Sequence, residues 1–158
     1  VVLGEFITLF KMPMGGSVTL GAMVPIFFFA IRWGGVAGML VGAVYGLLDL
    51  FIGGFYSVHP ISIIFDYILA YGILGVAGFF KKNTAGLILG MFVGVFARFW
   101  CHVYSGVAVF ASYAPEGQDP LIYSILYNGT FLLPEFLITL VLTLLVVRFV
   151  KLPDPKRV

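Results

Sequence analysis

Apolar residues run along this chain in long blocks separated by short polar joints. A transmembrane helix needs about 20 predominantly apolar residues. The blocks accommodate five full spans and one partial one, near 1–11, 18–33, 35–52, 60–80, 86–110 and 121–150. The first is too short to cross alone, so the chain is read as starting inside its first helix. The expected architecture is an all-α integral membrane protein, a six-transmembrane-helix bundle forming a single domain over 1–158. Residues 1–10 lack the basic lead and small-residue cleavage site of a signal peptide.

Five polar side chains interrupt the blocks at depth: Asp66, Arg98, His102, Asn128 and Glu135. A charge near the bilayer centre costs roughly 2.5–3.5 kcal/mol on insertion scales, so such groups face a bundle interior or a ligand cavity. At 1.5 Å per residue, Asp66 lies roughly 9 Å below the outer start of its helix, Asn128 about 10 Å and His102 about 12 Å. Arg98 and Glu135 lie deeper, at roughly 18 and 21 Å. This ordering predicts an upper site of Asp66, His102 and Asn128 above a lower ion pair, Arg98 with Glu135. Pairing of Arg98 with Asp66 is the alternative. All five could instead serve only to join helices.

Glycines recur every fourth residue at Gly34, Gly38, Gly42 and Gly46, and again at Gly86, Gly90 and Gly94. Small residues at this spacing let membrane helices approach closely, so these glycines are assigned to packing. The second row continues through Arg98, His102 and Gly106. That face carries a charge, an imidazole and then a gap wide enough for a flat ring.

Composition fixes the class: 61% of residues are hydrophobic and 10% charged, with a mean hydropathy of +1.12, against about 25% charged in soluble domains. The net charge of +2 says little, but its distribution sets an orientation. With the first helix starting inside, the cytoplasmic side receives Arg32, Lys81, Lys82, Arg148, Lys151, Lys156 and Arg157, while Lys11 is the one basic residue outside. Cytoplasmic loops carry the Lys/Arg excess, which gives a multi-pass protein of the bacterial cell membrane with both termini cytoplasmic. The inner joints are short, whereas the outer segments 12–17, 53–60 and 112–120 are rich in turn residues and suit a lid.

Several chemistries drop out. No G-x-x-x-x-G-K-[ST] phosphate loop and no H-E-x-x-H occur. Cys101 and His102 are adjacent, so their side chains diverge by about 100° on a helix and cannot form a nucleophile–base pair. The spacing of His59, His102 and Asp66 announces no metal site. No enzyme activity, cofactor, metal or nucleic acid is indicated, and a role in binding or transport is expected.

Four blocks carry a specific likeness: M-P-M-G-G-S-V-T-L-G at 12–21, H-P-I-S-I-I-F-D-Y at 59–67, H-V-Y-S-G-V-A-V-F-A-S-Y-A-P-E-G at 102–117 and I-Y-S-I-L-Y-N-G at 122–129. In their order and at these helix ends, the chain resembles the thiamine-binding S components (ThiT/YuaJ family) of energy-coupling factor transporters. The resemblance implies a six-helix substrate-binding subunit in the lipid bilayer. Its partners would be thiamine, a transmembrane coupling protein and two cytoplasmic ATPases. It carries over ligand contacts at Tyr56, Asp66, Tyr67, Arg98, His102, Gly106, Phe110, Tyr123 and Asn128. The acidic position, Glu in some members, is the shorter Asp66, and a stacking Trp is Phe110 here. A lid tryptophan has no counterpart, since Gly15 and Gly16 occupy its region, and the small-residue motif that docks the first helix on the coupling protein is not evident.

Thiamine combines a cationic thiazolium with a flat aminopyrimidine. Aromatic faces attract cations by about 0.5–2 kcal/mol, and Tyr56, Tyr67, Phe110 and Tyr123 could provide them. The expected function is thiamine capture at the outer face, followed by ATP-driven import. The alternatives are an S component for another flat vitamin or pyrimidine precursor, and a stand-alone ion-coupled carrier.

Overall fold

Four long apolar helices and one short one make up most of the molecule. The computed structural model describes residues 8–12, 16–19, 21–53 and 57–150. Within them, strands β1 (Thr8–Lys11) and β2 (Ser17–Thr19) form an antiparallel hairpin, with Phe10 opposite Val18 and Lys11 opposite Ser17. Five helical segments follow among the described residues: α1 (Val24–Trp33), α2 (Gly35–Ile52), α3 (Pro60–Phe79), α4 (Thr84–Val109) and α5 (Pro120–Phe149). At 1.5 Å per residue, α2 to α5 run from about 27 to about 45 Å, comparable to or longer than the hydrocarbon core. The ten residues of α1 reach only about 15 Å.

The N-terminal region departs from the sequence reading. Residues 8–11 form a strand rather than the end of a helix, and the helix placed over 18–33 begins at Val24. Two features stop a helix here. Gly21 has φ +100°, outside the right-handed region, and the flanking Thr8, Val18 and Thr19 are β-branched. Residues 1–7, on which a sixth helix rests, lie outside the described residues.

Local chemistry sets the helix ends. Gly34, at φ +101°, separates α1 from α2, a conformation that L side chains rarely adopt. The Asn83 side chain accepts from the Gly86 N–H at 2.8 Å, and Asp119 accepts from Leu121 and Ile122 at 2.8 and 3.2 Å; both are N-caps of the kind that satisfy orphan helix donors. His59 caps α3 through Nδ1, accepting from Ile61 N–H at 3.3 Å, with Pro60 in the first turn. α3 widens to π geometry over Ile63–Leu69 and tightens to 3-10 over Ile73–Phe79. Wide turns of this kind recur at functional sites, and this one carries Asp66 and Tyr67.

Five of the seven glycines in the two rows pack as their spacing predicts, whereas Gly34 lies in open space at the α1–α2 joint and Gly86 meets only the Lys81–Asn83 turn ahead of its own helix. A Cβ on Gly42 or Gly46 would run into the backbone carbonyls of Tyr71 and Tyr67, and Gly38 faces Ala30 and Gly75. On α4, Gly90 and Gly94 lie against Ala77 and Leu74. α3 is therefore held between α2 and α4 at backbone distance. The main core, with Met23, Ile26, Phe27, Leu74 and Met91 fully enclosed, joins α1, α3 and α4. A second cluster of Val18, Phe131 and Leu132 seats the hairpin on α5.

Candidate functional site

The wide turn of α3 turns Asp66 toward α4. Its Oδ2 accepts from Ser62 Oγ at 2.7 Å and Ser105 Oγ at 2.5 Å, and its Oδ1 lies 2.8 Å from His102 Nδ1. Arg98 Nε lies 3.3 Å from the other imidazole nitrogen, Nε2. One tautomer satisfies both contacts: Nδ1–H donates to the carboxylate and Nε2 accepts from the guanidinium. An ionised carboxylate offers about four acceptor positions, so three donors leave Asp66 with one.

Arg98 is 5% exposed, and its guanidinium carbon stands 4.1 Å from the centroid of the Tyr71 ring. The Tyr71 hydroxyl donates to Asp49 Oδ2 at 3.0 Å. A polar chain thus runs from Asp49 through Tyr71, Arg98 and His102 to Asp66, linking α2, α3 and α4.

The predicted lower ion pair is not formed. Glu135 Oε1 accepts from the Thr19 hydroxyl at 2.7 Å, while Glu135 Oε2 and Arg98 Nη1 are both buried without a hydrogen-bond partner. Arg98 does not pair directly with Asp66 either, since the His102 ring lies between them. The physical reason lies in β2. Thr19, in a strand rather than the expected helix over 18–33, brings its hydroxyl to Glu135 and takes the place that Arg98 was expected to fill. The same hydroxyl accepts from Ala22 N–H at 3.1 Å.

The gap expected at Gly106 is also closed. A Cβ there would collide with the Ser124 hydroxyl of α5, so the missing side chain serves the α4–α5 contact. Ser124 Oγ donates to Val103 O at 3.1 Å, and Asn128 Nδ2 turns back to Ser124 O at 2.9 Å. Gly106, Ser124 and Asn128 form a group of their own, with Asn128 6% exposed.

The aromatic positions spread along the outer half. Phe110 ends α4 and pairs with Tyr113 at 6.1 Å between centroids. Tyr123, Tyr127 and Phe131 form a ladder on α5, spaced 6.1 and 6.0 Å, which reaches the His102 ring at 6.1 Å. The Tyr127 hydroxyl accepts from Gly16 N–H at 3.3 Å, tying the hairpin turn to that ladder. Tyr67 is buried in α3, and Tyr56 lies outside the described residues.

Sequence reasoning missed Asp49, Tyr71, Ser62, Ser105, Thr19 and Tyr127. Asp49 had a usable signal, as a carboxylate inside the apolar run 35–52. Ser62 and Ser105 stand one turn from Asp66 and His102, but serines are common in membrane helices and their spacing alone says little. With Asp49 counted, three of the spanning helices each carry one carboxylate, Asp49 on α2, Asp66 on α3 and Glu135 on α5, and α4 carries Arg98.

Comparisons with known proteins agree with this architecture. The thiamine transporter protein family (Thia_YuaJ) matches residues 1–153. The thiamine transporter ThiT of Bacillus subtilis is 35% identical over 151 residues, covering 87% of this chain and 77% of the relative. The ThiT of Lacticaseibacillus paracasei is 32% identical over 135 residues, covering 75% and 67%. The solved structure of ThiT from Listeria monocytogenes superposes with a TM-score of 0.76 at 28% identity, over 90% of this chain and 84% of that one. The chain belongs to the thiamine transporter family.

Proposed function

We propose that this chain captures thiamine at the outer face of the cell membrane, as the substrate-binding subunit of an energy-coupling factor importer. A transmembrane coupling protein and two cytoplasmic ATPases supply the energy. The observation that carries this reading is the half-buried Asp66 carboxylate, held by Ser62, Ser105 and His102, beside the Tyr123–Tyr127–Phe131 ring ladder that reaches the His102 ring, an arrangement that suits a flat organic cation. Asp66 accepts from two hydroxyls and meets an imidazole, and its remaining acceptor position suits an amino group of the pyrimidine. Phe110, Tyr123 and Tyr67 offer ring faces to the thiazolium, and the family resemblance adds Tyr56 to this set. His102, with both ring nitrogens engaged by Asp66 and Arg98, orients the carboxylate, and the Asn128 side-chain oxygen is the group left to address a polar ring edge. Arg98 positions His102 rather than meeting the cation.

The outer-face assignment rests on charge: Arg32, Lys81, Lys82 and Arg148 gather at the end opposite Asp66 and Phe110. Uptake by proteoliposomes tests the whole reading. Radiolabelled thiamine should accumulate when this chain is reconstituted with the coupling protein, both ATPases and internal ATP. Accumulation by this chain alone, driven by an ion gradient, would instead make it a stand-alone carrier.

A further inference from the structure

The Tyr71 ring is held firmly inside the bundle. It is buried, packs against the Tyr45 ring at 4.7 Å between centroids, and lies so near α2 that a Cβ on Gly46 would stand 3.2 Å from it. Its hydroxyl donates to Asp49 Oδ2 at 3.0 Å, so sliding the ring would break a hydrogen bond between α2 and α3. The Arg98 guanidinium lies on this platform, 4.1 Å from the ring centroid. From there Nε meets His102 Nε2 at 3.3 Å, while Nη1 is buried without a hydrogen-bond partner. A guanidinium ordinarily meets a carboxylate directly, often through two parallel hydrogen bonds. Neither neighbouring carboxylate is met in that way. Asp66 stands one imidazole ring away, and Glu135, which attracts Arg98 electrostatically, keeps Oε2 buried and without a hydrogen bond.

We propose that Tyr71 and Asp49 are positioning residues for the ligand site: they hold Arg98 on an aromatic face and so keep it off Asp66. This role rests on the proposed function, in which Asp66 meets the ligand. An ionised carboxylate has about four acceptor positions, and Ser62, Ser105 and His102 engage three on Asp66. A bidentate guanidinium needs two. A direct Arg98–Asp66 pair would therefore displace one of these partners and leave no position for an amino group of the ligand. Held on Tyr71, Arg98 instead donates to His102 Nε2, which fixes the Nδ1–H tautomer and turns that N–H onto Asp66. Cation–π attraction strengthens when both groups leave water, as Arg98 and Tyr71 do here. A phenol that donates to a carboxylate also enriches its ring in electrons, which is the part Asp49 plays.

Two measurements test the role. The first needs no ligand: NMR of detergent-solubilised protein with isotope-labelled histidine nitrogens reports the tautomer of each imidazole. The chain has two histidines, and His59→Asn, which keeps a helix-capping side chain, assigns the His102 signals. The parent should show Nδ1–H at His102, and Tyr71→Leu should lose that preference. The second is thiamine affinity by calorimetry. Tyr71→Leu should weaken binding at least about 10-fold, but less than about 2-fold in an Arg98→Met background, since the two residues act as a unit. Tyr71→Phe should weaken it by about 3-fold, and by much less once Asp49 is replaced by Ala, because the hydrogen bond is then already gone. An unchanged tautomer in Tyr71→Leu overturns the proposal. So does an equal loss with and without Arg98, since Tyr71 would then serve only packing. Should Tyr71→Leu fail to fold, Tyr71→Phe carries the test, and an equal cost in the parent and in Asp49→Ala overturns the role of Asp49. If the parent binds no thiamine, the functional reading fails, and the tautomer in Tyr71→Leu alone decides whether Tyr71 positions Arg98 and His102.

Discussion

Removing the Thr19 hydroxyl should release the N-terminal hairpin from α5. Thr19→Val keeps the β-branched shape of the side chain but deletes the oxygen that donates to Glu135 at 2.7 Å and accepts from Ala22 N–H at 3.1 Å. Hydrogen bonds to charged groups contribute about 1.5–3 kcal/mol and neutral ones about 0.5–1.5 kcal/mol. Glu135 is 2% exposed, so water cannot replace the lost donor. The combined loss should be about 2–4 kcal/mol, concentrated where β2 meets α5. Glu135→Gln should be milder, because an amide oxygen still accepts from Thr19, and Glu135→Ala should resemble Thr19→Val. Amide hydrogen exchange of the detergent-solubilised protein, read at residues 8–12 and 16–19, is the assay. Thr19→Val and Glu135→Ala should speed exchange there strongly, and Arg98→Met should leave it near the parent rate. If Arg98→Met loosens the hairpin as much as Thr19→Val, then Glu135 answers to Arg98 and the anchoring role is wrong.

Other outcomes follow from the same contacts. Asp66→Asn should weaken thiamine binding at least about 10-fold, corresponding to loss of a charge-assisted contact; calorimetry on folded protein measures it, and unchanged affinity would remove Asp66 from the site. Phe110→Ala should cost about 1–3 kcal/mol of binding while Phe110→Trp preserves it, since a ring face is what the cation meets; an alanine variant that binds like the parent would sink the stacking role. Gly42→Ala should destabilise the ligand-free protein by about 1–3 kcal/mol through overpacking against the Tyr71 carbonyl, seen as a lowered unfolding midpoint, whereas Gly129→Ala, with open space around it, should not.

The membrane class, the long helices and the glycine contacts were legible because hydropathy and four-residue spacing are local signals. The helix-borne polar residues were legible because they are costly in hydrocarbon. Their partners were not. Whether Glu135 meets Arg98 or Thr19 depends on the conformation of residues 17–19, and a short apolar segment fits a strand as well as a helix. Gly106 shows the same limit: spacing identifies a missing side chain, but only the position of α5 decides whether Ser124 or a ligand occupies the space. Asp49 was overlooked because it lies near the end of its helix, where a carboxylate reads as interfacial until Tyr71 is seen to reach it.

The central claim is that the Asp66 carboxylate and the neighbouring rings bind thiamine. Isothermal titration of the purified, detergent-solubilised chain with thiamine tests it most directly, with riboflavin and the isolated aminopyrimidine as comparison ligands. The account predicts saturable one-to-one binding of thiamine at submicromolar concentration and much weaker binding of both others. Absence of heat with thiamine from folded protein, or tighter binding of the uncharged pyrimidine, would contradict it.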